Sequence, residues 1–181
     1  AGKARAIGLS EVSVDDIRQA QAIHPVASVQ SELSLWTRGQ LAAVVPYCEE
    51  QGIAFLPFSP LGRGFLTGAI SSADQLADDD MRSQMPRFQG EAFDANQAIV
   101  SGVRTVAERL GATLAQVALA WVVAQGRYVV PIPGTKRVRY LEDNAGAGDL
   151  ELPADALAEL DDLPEPVGDR YGTSLPGVTG R

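Results

Sequence analysis

The stretch IAFLPFSPLGRGFLTG, residues 53–68, decides the fold class of this chain. Its first part, Ile53 to Phe58, is apolar and uncharged, which predicts a strand that is buried on both faces. Ser59 to Gly64 then follow with a proline, two glycines and an arginine, at the strand end where α/β proteins bind their ligands. Such a loop is able to wrap a phosphate, with Ser59 and Arg63 adding a hydrogen bond and a charge. An ordinary surface turn between a strand and a helix is the alternative interpretation.

The composition is that of one acidic globular domain. Of the 181 residues, 45% are hydrophobic, and the formal net charge of −8 argues against a nucleic-acid partner. The single cysteine, Cys48, excludes an internal disulfide, and the single histidine, His24, leaves no Cys/His cluster, so we expect no metal site. The sequence shows no signal-like segment and no bilayer-length apolar run, which predicts a cytoplasmic protein without a membrane partner.

Upstream of the opening stretch, the sequence predicts two strands that alternate with two helices. The first strand is Lys3 to Ser10 and the second is Ala27 to Gln30. Ser13, with an acidic residue three positions on, predicts a capping box at the start of the first helix, which must end before Pro25. The second helix has apolar residues at helical spacing and ends at Gly52.

Downstream, the segment Ala69 to Phe93 is too long for a compact connection, so we predict a mobile lid that has little to bury. A helix follows from Asp94, and Thr113 with Gln116 predicts a capping box for the next helix. Tyr128 to Ile132 is the predicted fourth strand. Four buried strands that alternate with helices predict βα units and a parallel sheet, which is an α/β fold.

In a parallel sheet the carboxyl ends of the strands share one face, and polar side chains follow each predicted strand. They are Ser10, Glu11, Gln30, Glu32, Ser59, Arg63, Thr135, Lys136 and Arg137. Lys136 and Arg137 lie at the start of a helix, where cations oppose the helix dipole unless an anion offsets them. The sequence therefore favours an anion site at this point, with a solvated helix start as the alternative.

Other motifs point away from familiar chemistry. The serine of FSPLG does not lie in the nucleophile elbow G-x-S-x-G, and Gly62, Gly64 and Gly68 miss the spacing of the dinucleotide fingerprint. The acidic triplet Asp78 to Asp80 is more typical of a solvated turn than of a metal site. Trp36, after the second strand, is predicted to be a core residue.

Five motifs, in chain order, resemble the aldo-keto reductases: KARAIGLSE, VQSELSLW, FSPLGRGFLTG, LAQVALAW and VPIPGTKRVRYLEDN. The similarity covers nearly the whole chain, and the motif residues are most similar to those of bacterial and plant oxidoreductases that carry IGLSE and IPGTKR. The resemblance implies a fold of the (β/α)₈ TIM-barrel family. It also implies that NADPH is bound in an extended form, without a Rossmann domain.

The resemblance implies a cofactor-binding role for several groups of residues. Ser10 and Gln30 match the residues that bond the nicotinamide carboxamide, and Phe58 matches the ring that stacks on the nicotinamide. The loop around the pyrophosphate is matched by Ser59, Pro60, Leu61, Gly62, Arg63 and Gly64. The segment at the 2′-phosphate is matched by Gly134, Thr135, Lys136 and Arg137, and the adenine end by Tyr140, Asp143 and Asn144. Glu11 stands where many members have asparagine.

The resemblance begins just before the fifth strand of the family. We therefore expect residues 1–163 to form the C-terminal, cofactor-binding half of the barrel, with four parallel βα units and a C-terminal helix, and residues 164–181 to form an irregular tail. The Asp, Tyr, Lys and His that the family uses for proton transfer have no counterpart, so we expect no catalytic residue in this chain. A closed barrel typically needs about 250 residues.

The resemblance implies NADPH-dependent hydride transfer between nicotinamide and an aldehyde or ketone. The chain alone is expected to be inactive, and its expected partners are a carbonyl substrate and either a missing N-terminal half or another copy of itself. The alternative is a non-enzymatic nicotinamide-binding or interaction module, since potassium-channel β subunits resemble the same family.

Overall fold

The computed structural model describes residues 2–171 and contains a parallel sheet. Its strands pair in chain order: β1 (Gly8–Ser10), β2 (Ser28–Glu32) and β3 (Ala54–Phe58). The helices between them, α1 (Val14–Gln21) and α2 (Val44–Gln51), return the chain to the same edge of the sheet, as parallel strands require. The predicted parallel sheet is confirmed, although β1 is shorter than predicted and β2 continues to Glu32.

The predicted fourth strand, Tyr128 to Ile132, is wrong as a strand. Val129 makes a single parallel bridge to Phe55, and the amides of Val130 and Ile132 donate to carbonyls of β3 at 2.9 and 3.0 Å. The segment thus runs along β3, but Pro57 has no N–H to donate back across the pair, so the regular ladder cannot continue.

The predicted burial of β3 on both faces is also wrong. Phe55 is fully buried and Pro57 is buried, whereas Ala54, Leu56 and Phe58 are only half-buried. Burial alternates because the helices cover one face of the sheet, and the opposite face is open within residues 2–171. This open face bears Ser10 and Gln30, which are direct neighbours in the β1–β2 register.

The described chain is helical downstream of the sheet. Its elements are α3 (Gly90–Leu110), α4 (Leu114–Val123), α5 (Val138–Ala145) and α6 (Ala154–Asp161). Both predicted capping boxes are present, because Asp16 and Gln116 each bond reciprocally with Ser13 and Thr113. The predicted start of α3 at Asp94 is wrong, since the helix begins at Gly90.

The segment Ala69 to Phe93 is more ordered than predicted. It contains short 3₁₀ helices, at Ala73–Gln75, Met81–Gln84 and Pro86–Phe88, and then the first turn of α3. Its apolar side chains reach the core: Ile70, Met85, Phe88 and Phe93 are all buried. The expectation that this segment has little to bury is therefore wrong outside its polar part, Ser71 to Asp80.

An aromatic cluster holds the chain after β3 against the core. Trp36 stacks on Phe65, with ring centroids 4.1 Å apart, and meets Phe88 edge-on at 4.9 Å. The prediction that Trp36 is a core residue is confirmed. Because Phe65 directly follows the glycine-rich loop, this packing fixes where that loop leaves the sheet.

The described part of the tail, residues 164–171, forms neither helix nor strand, and the rest of the predicted tail, residues 172–181, lies outside the described residues. Within residues 2–171, no single helix is long and apolar enough to cross a membrane. The consecutive helices α3 and α4 reach that length and apolar content only together, and they are bent by 96° to each other.

Candidate functional site

A cleft of about 790 Å³ opens beyond the carboxyl end of β3. The loop after β3 forms one wall, and the segment before α5 forms another, together with the start of α4 and residues along α5. Most of the residues that the sequence assigned to the phosphates and the adenine line this cleft: Ser59, Pro60, Leu61, Arg63, Gly64, Gly134, Thr135, Tyr140, Asp143 and Asn144. Two stretches that are far apart in the sequence therefore share one cavity.

The loop after β3 has a strongly bent backbone. Ser59 and Arg63 have positive φ angles of 47° and 54°, which cost non-glycine residues about 1–3 kcal/mol each. The amide of Gly62 donates to the Ser59 carbonyl at 2.9 Å, and the amide of Gly64 donates to the Leu61 carbonyl at 3.0 Å. These short-range bonds close two turns and fix the shape of the loop backbone.

The guanidinium of Arg63 is already paired within the protein. It donates to both carboxylate oxygens of Glu32, at 3.1 and 3.0 Å, and to the hydroxyl of Tyr171 at 2.9 Å. The Glu32 side chain is buried, and the Arg63 side chain is 17% exposed. The sequence suggested that this cation adds a charge to a phosphate, but the geometry assigns the guanidinium to Glu32, although Arg63 lines the cleft.

Arg82 supplies a cation that the sequence analysis missed. Its Nη1 donates to the Arg63 carbonyl at 2.9 Å, and its other nitrogens bond the Asp80 carboxylate at 2.6 to 3.1 Å. Hydrogen bonds from Arg82 lower the pKa of Asp80 to about 2. Asp80 is thus half of an ion pair, and Arg82 lines the cleft beside Gly64.

The segment before α5 brings a second set of polar groups. Gly134 and Thr135 line the cleft, while Lys136 and Arg137 are exposed at its edge. The Thr135 hydroxyl accepts from the Arg137 amide at 3.2 Å, which shapes the turn into the helix. The predicted pair of cations is therefore present at the helix start, beside the cavity and not within it.

Two residues of α5 complete this end of the cleft. The Asp143 carboxylate accepts from the Thr113 hydroxyl at 3.0 and 3.2 Å, which joins α5 to the start of α4. Tyr140 presents its ring under the guanidinium of Arg137, 5.7 Å from the ring centroid. A hydrogen bond from Arg139 lowers the pKa of the Tyr140 hydroxyl.

Ser10, Gln30 and Phe58 lie on the open face of the sheet and not in the cleft. Phe58 directly precedes Ser59, the first residue of the cleft wall, so the open face and the cleft adjoin. The predicted nicotinamide residues and the predicted phosphate residues are thus neighbours along one continuous surface.

Some residues of the cleft wall escaped the sequence analysis. They are Thr67, Ala69, Ile70, Arg82, Thr113, Leu114, Ala115 and Pro133. Thr113 carried a usable signal, because its capping box marks a helix start, and helix starts attract anions. Arg82 carried none, since its contact with Arg63 is made between segments that are distant in the sequence.

The histidine and the cysteine stay away from this chemistry. His24 is exposed at the end of α1, and Cys48 is buried in α2, where burial raises the pKa of its thiol to about 11. Among residues 2–171, no group of three or more His, Cys, Asp or Glu side chains is placed to hold a metal ion.

Parallel βα units with a cleft at the carboxyl ends of the strands define a chain of the α/β class. The profile described as the Aldo/keto reductase family matches residues 1–165. A protein described as probable aldo-keto reductase 1, from Glycine max, is 45% identical over 171 residues, which are 94% of this chain and 49% of that protein. The chain belongs to the aldo/keto reductase family, and it spans about half the length of this curated relative.

Solved structures show the same fold. A glycerol dehydrogenase from Gluconobacter oxydans superposes with a TM-score of 0.83 at 28% identity, over 89% of this chain and 49% of its own. A thermostable aldo-keto reductase, solved with the inhibitor epalrestat, gives a TM-score of 0.66 at 23% identity, over 88% of this chain and 48% of its own. The second likeness concerns the fold alone.

Proposed function

We propose that this chain is the C-terminal, cofactor-binding half of an NADPH-dependent aldo-keto reductase, which transfers hydride between nicotinamide and an aldehyde or ketone. The observation that carries the proposal is the meeting of the Ser59–Gly64 loop and the Pro133–Asn144 segment at one cleft, in a chain of this family. The family profile supports oxidoreductase chemistry. The cleft supports a cofactor that extends from the open sheet face to α5.

The donor set of the cleft fits a dinucleotide phosphate. Gly64 has a φ of 92°, which residues with a side chain rarely adopt, and it lies beside the Arg82 guanidinium in the cleft wall. Lys136 and Arg137 place positive charge beside the cleft, and Arg82, whose charge is paired with Asp80, lies in its wall. Such a distribution suits a ligand with a pyrophosphate and one further phosphate.

Each part of the cofactor has proposed partners. The nicotinamide would be held by Ser10, Gln30 and Phe58, and the pyrophosphate by the backbone of residues 59–64. Lys136 and Arg137 would bind the 2′-phosphate, and Tyr140, Asp143 and Asn144 would surround the adenine. The bound cofactor supplies the hydride, and these residues orient it and exclude water from it.

The proton donor is proposed to lie outside this chain. Hydride transfer to a carbonyl needs a general acid, which typically contributes about 10²–10⁴-fold. Three of the four described tyrosines bond other side chains through their hydroxyls: Tyr47 donates to Gln21 at 2.8 Å, Tyr171 accepts from Arg63, and Tyr140 accepts from Arg139. We therefore propose that turnover requires a second polypeptide segment that supplies the acid.

The surface supports the need for a partner. The open face of the sheet is half-exposed, and α5 exposes Val138 and Leu141 at 71% and 59% of their surface. An N-terminal barrel half or a second copy of this chain would cover such surfaces. The same apolar surface also favours the second candidate, a nicotinamide-binding interaction module without turnover.

The experiment is to measure NADPH binding, NADPH oxidation with a reactive aldehyde, and mass in solution, all on the 181-residue chain. We expect NADPH to bind, no oxidation by the chain alone, and association into a species larger than a monomer. A stable monomer that turns over would contradict the half-barrel proposal. Turnover that appears when an N-terminal half is added would favour the reductase over the interaction module.

A further inference from the structure

The described end of the chain, Val167 to Tyr171, is bound across the carboxyl ends of the strands. The amide of Val167 donates to Oδ1 of Asn96 at 2.8 Å, and Nδ2 of Asn96 donates to the Val167 carbonyl at 3.0 Å. Asn96 is 1% exposed. Arg87 adds a hydrogen bond to the Gly168 carbonyl at 3.0 Å. A buried amide that satisfies both backbone groups of one residue makes this a specific docking contact.

Two carboxylates at the strand ends receive the side chain of Arg170. Its guanidinium pairs with Glu11, and its Nε lies 3.5 Å from Oε2 of Glu32. Glu11 in turn accepts from the Glu32 amide at 2.9 Å, so the two acidic residues are fixed relative to each other. Burial lowers the pKa of Arg170, but the hydrogen bond with Glu11 and the charges of Glu32 and Glu11 leave it raised.

Glu32 and Tyr171 also hold Arg63. Glu32 is shared between Arg63 and Arg170, and Tyr171 accepts from Arg63 while its ring lies 5.2 Å from one guanidinium and 4.7 Å from the other. Two arginines and two glutamates thus form one cluster of paired charges around the buried Glu32. One arginine belongs to the tail and the other to the loop that lines the cleft.

We propose that Val167 to Tyr171 is a strap that holds the loop Ser59 to Gly64 in its bent conformation through Arg63. The backbone of Arg63 has the left-handed φ of 54°, which a non-glycine residue keeps only where its surroundings impose it. Glu32 and Tyr171 hold the side chain of Arg63, and Arg82 holds its carbonyl, so both ends of the residue are fixed. Release of the strap removes the hydrogen bond between Arg63 and Tyr171 and takes Arg170 away from Glu32. The loop then loses part of what holds it.

Coupling of this kind is reciprocal. If the docked strap favours the bent loop, then the bent loop favours the docked strap by the same factor. This inference goes beyond cofactor binding and requires no ligand for its test. Its failure would leave the proposed function untouched, because that proposal rests on the residues of the cleft.

Amide hydrogen exchange on the 181-residue protein without ligand tests the strap. The Val167 amide reports docking, and the Gly62 and Gly64 amides report the loop. In Arg170→Gln we expect exchange at all three amides to rise by at least about tenfold, because a buried charge partner is lost. In Arg63→Gln we expect faster exchange at Val167. The control is Arg109→Gln, which removes a bidentate but exposed pair with Glu159 and should leave all three amides unchanged.

Faster exchange at Val167 with unchanged exchange at Gly62 and Gly64 would overturn the proposal, since the strap would then dock without holding the loop. Unchanged exchange at all three amides would overturn it as well. If Arg170→Gln does not fold, Tyr171→Phe carries the same test, because it removes only the hydroxyl that accepts from Arg63. Faster exchange at the two glycines in that variant supports the strap, and unchanged exchange contradicts it.

Discussion

The guanidinium of Arg63 binds the carboxylate of Glu32 through two hydrogen bonds of 3.1 and 3.0 Å, and the buried Glu32 lies at the carboxyl end of β2. The pair neutralises the cation that stands in the middle of the glycine-rich loop. Arg82 is neutralised in the same way by Asp80. Affinity for an anionic ligand must then come from the exposed Lys136 and Arg137, together with the backbone of the loop. The first two predictions follow from this division of charge.

The first prediction concerns cofactor choice. The Lys136→Ala, Arg137→Ala double variant should lose most of its preference for NADPH over NADH, because charge-assisted hydrogen bonds to the 2′-phosphate contribute about 1.5–3 kcal/mol. Calorimetric titration with both cofactors measures the ratio of the dissociation constants. The matched control is Lys3→Ala, Arg127→Ala, which removes the same two side-chain types from exposed positions outside the cleft. An unchanged ratio in the first variant would remove the assignment of these residues.

The second prediction concerns stability. Glu32→Gln should destabilise the protein by about 3–5 kcal/mol, because it removes a buried carboxylate and leaves two partly buried arginines short of a negative partner. Urea unfolding provides the measurement. The control is Glu159→Gln, whose carboxylate pairs with Arg109 at the surface and should change the unfolding midpoint little. Equal effects of the two variants would show that the buried cluster is no more important than a surface pair.

The third prediction is a pH dependence. The Asp80 carboxylate, hydrogen-bonded by Arg82, should titrate at about pH 2 in the folded protein, below its unperturbed value of about 3.9. Because the folded pKa is depressed, the contribution of Asp80 to stability is complete above about pH 4 and is lost as the pH falls towards 2. NMR titration of the carboxyl carbon measures this pKa, and Arg82→Gln should return it to the usual range. Titration near pH 4 in the unsubstituted protein would refute the pairing.

The fourth prediction limits the motion expected of the segment after Gly68. Only the polar part, Ser71 to Asp80, should gain protection from hydrogen exchange when NADPH binds, since Met85 and Phe88 are buried in the core. Hydrogen exchange with and without saturating NADPH tests it, with the amides of α4 as the internal reference. Unchanged protection across residues 71–80 would argue against a lid.

Local signals predicted the parts of the fold that depend on neighbouring residues. Ser13 and Thr113 each form a capping box with a residue less than four positions away. The bend after β3 is indicated by the glycines and the proline of that segment. The prediction of the fourth strand was wrong because the pairing of that segment depends on β3, where Pro57 lacks the required N–H. No periodicity within residues 128–132 reports that defect.

The residues of the candidate site also fall into those that short motifs predicted and those that depend on contacts between distant segments. The glycine-rich loop and the PGTKR segment were found because each is a short motif, and the structure brings both to one cleft. The pair of Arg170 with Glu11 joins residues 159 positions apart, and no sequence pattern signals such a contact. No sequence pattern signals the hydrogen bond from Arg82 to the Arg63 carbonyl either. Arg82 belongs to the predicted lid segment, yet it lies in the cleft wall.

The most direct test of the account is to map NADPH onto the chain by amide chemical shifts. If the cleft binds the cofactor, saturating NADPH should shift the amides of Gly62, Gly64, Gly134 and Thr135, while NADH should shift the first pair more than the second. Shifts confined to other parts of the chain, or no shifts at a cofactor concentration that saturates the relatives, would contradict the assignment of this cleft as the cofactor site.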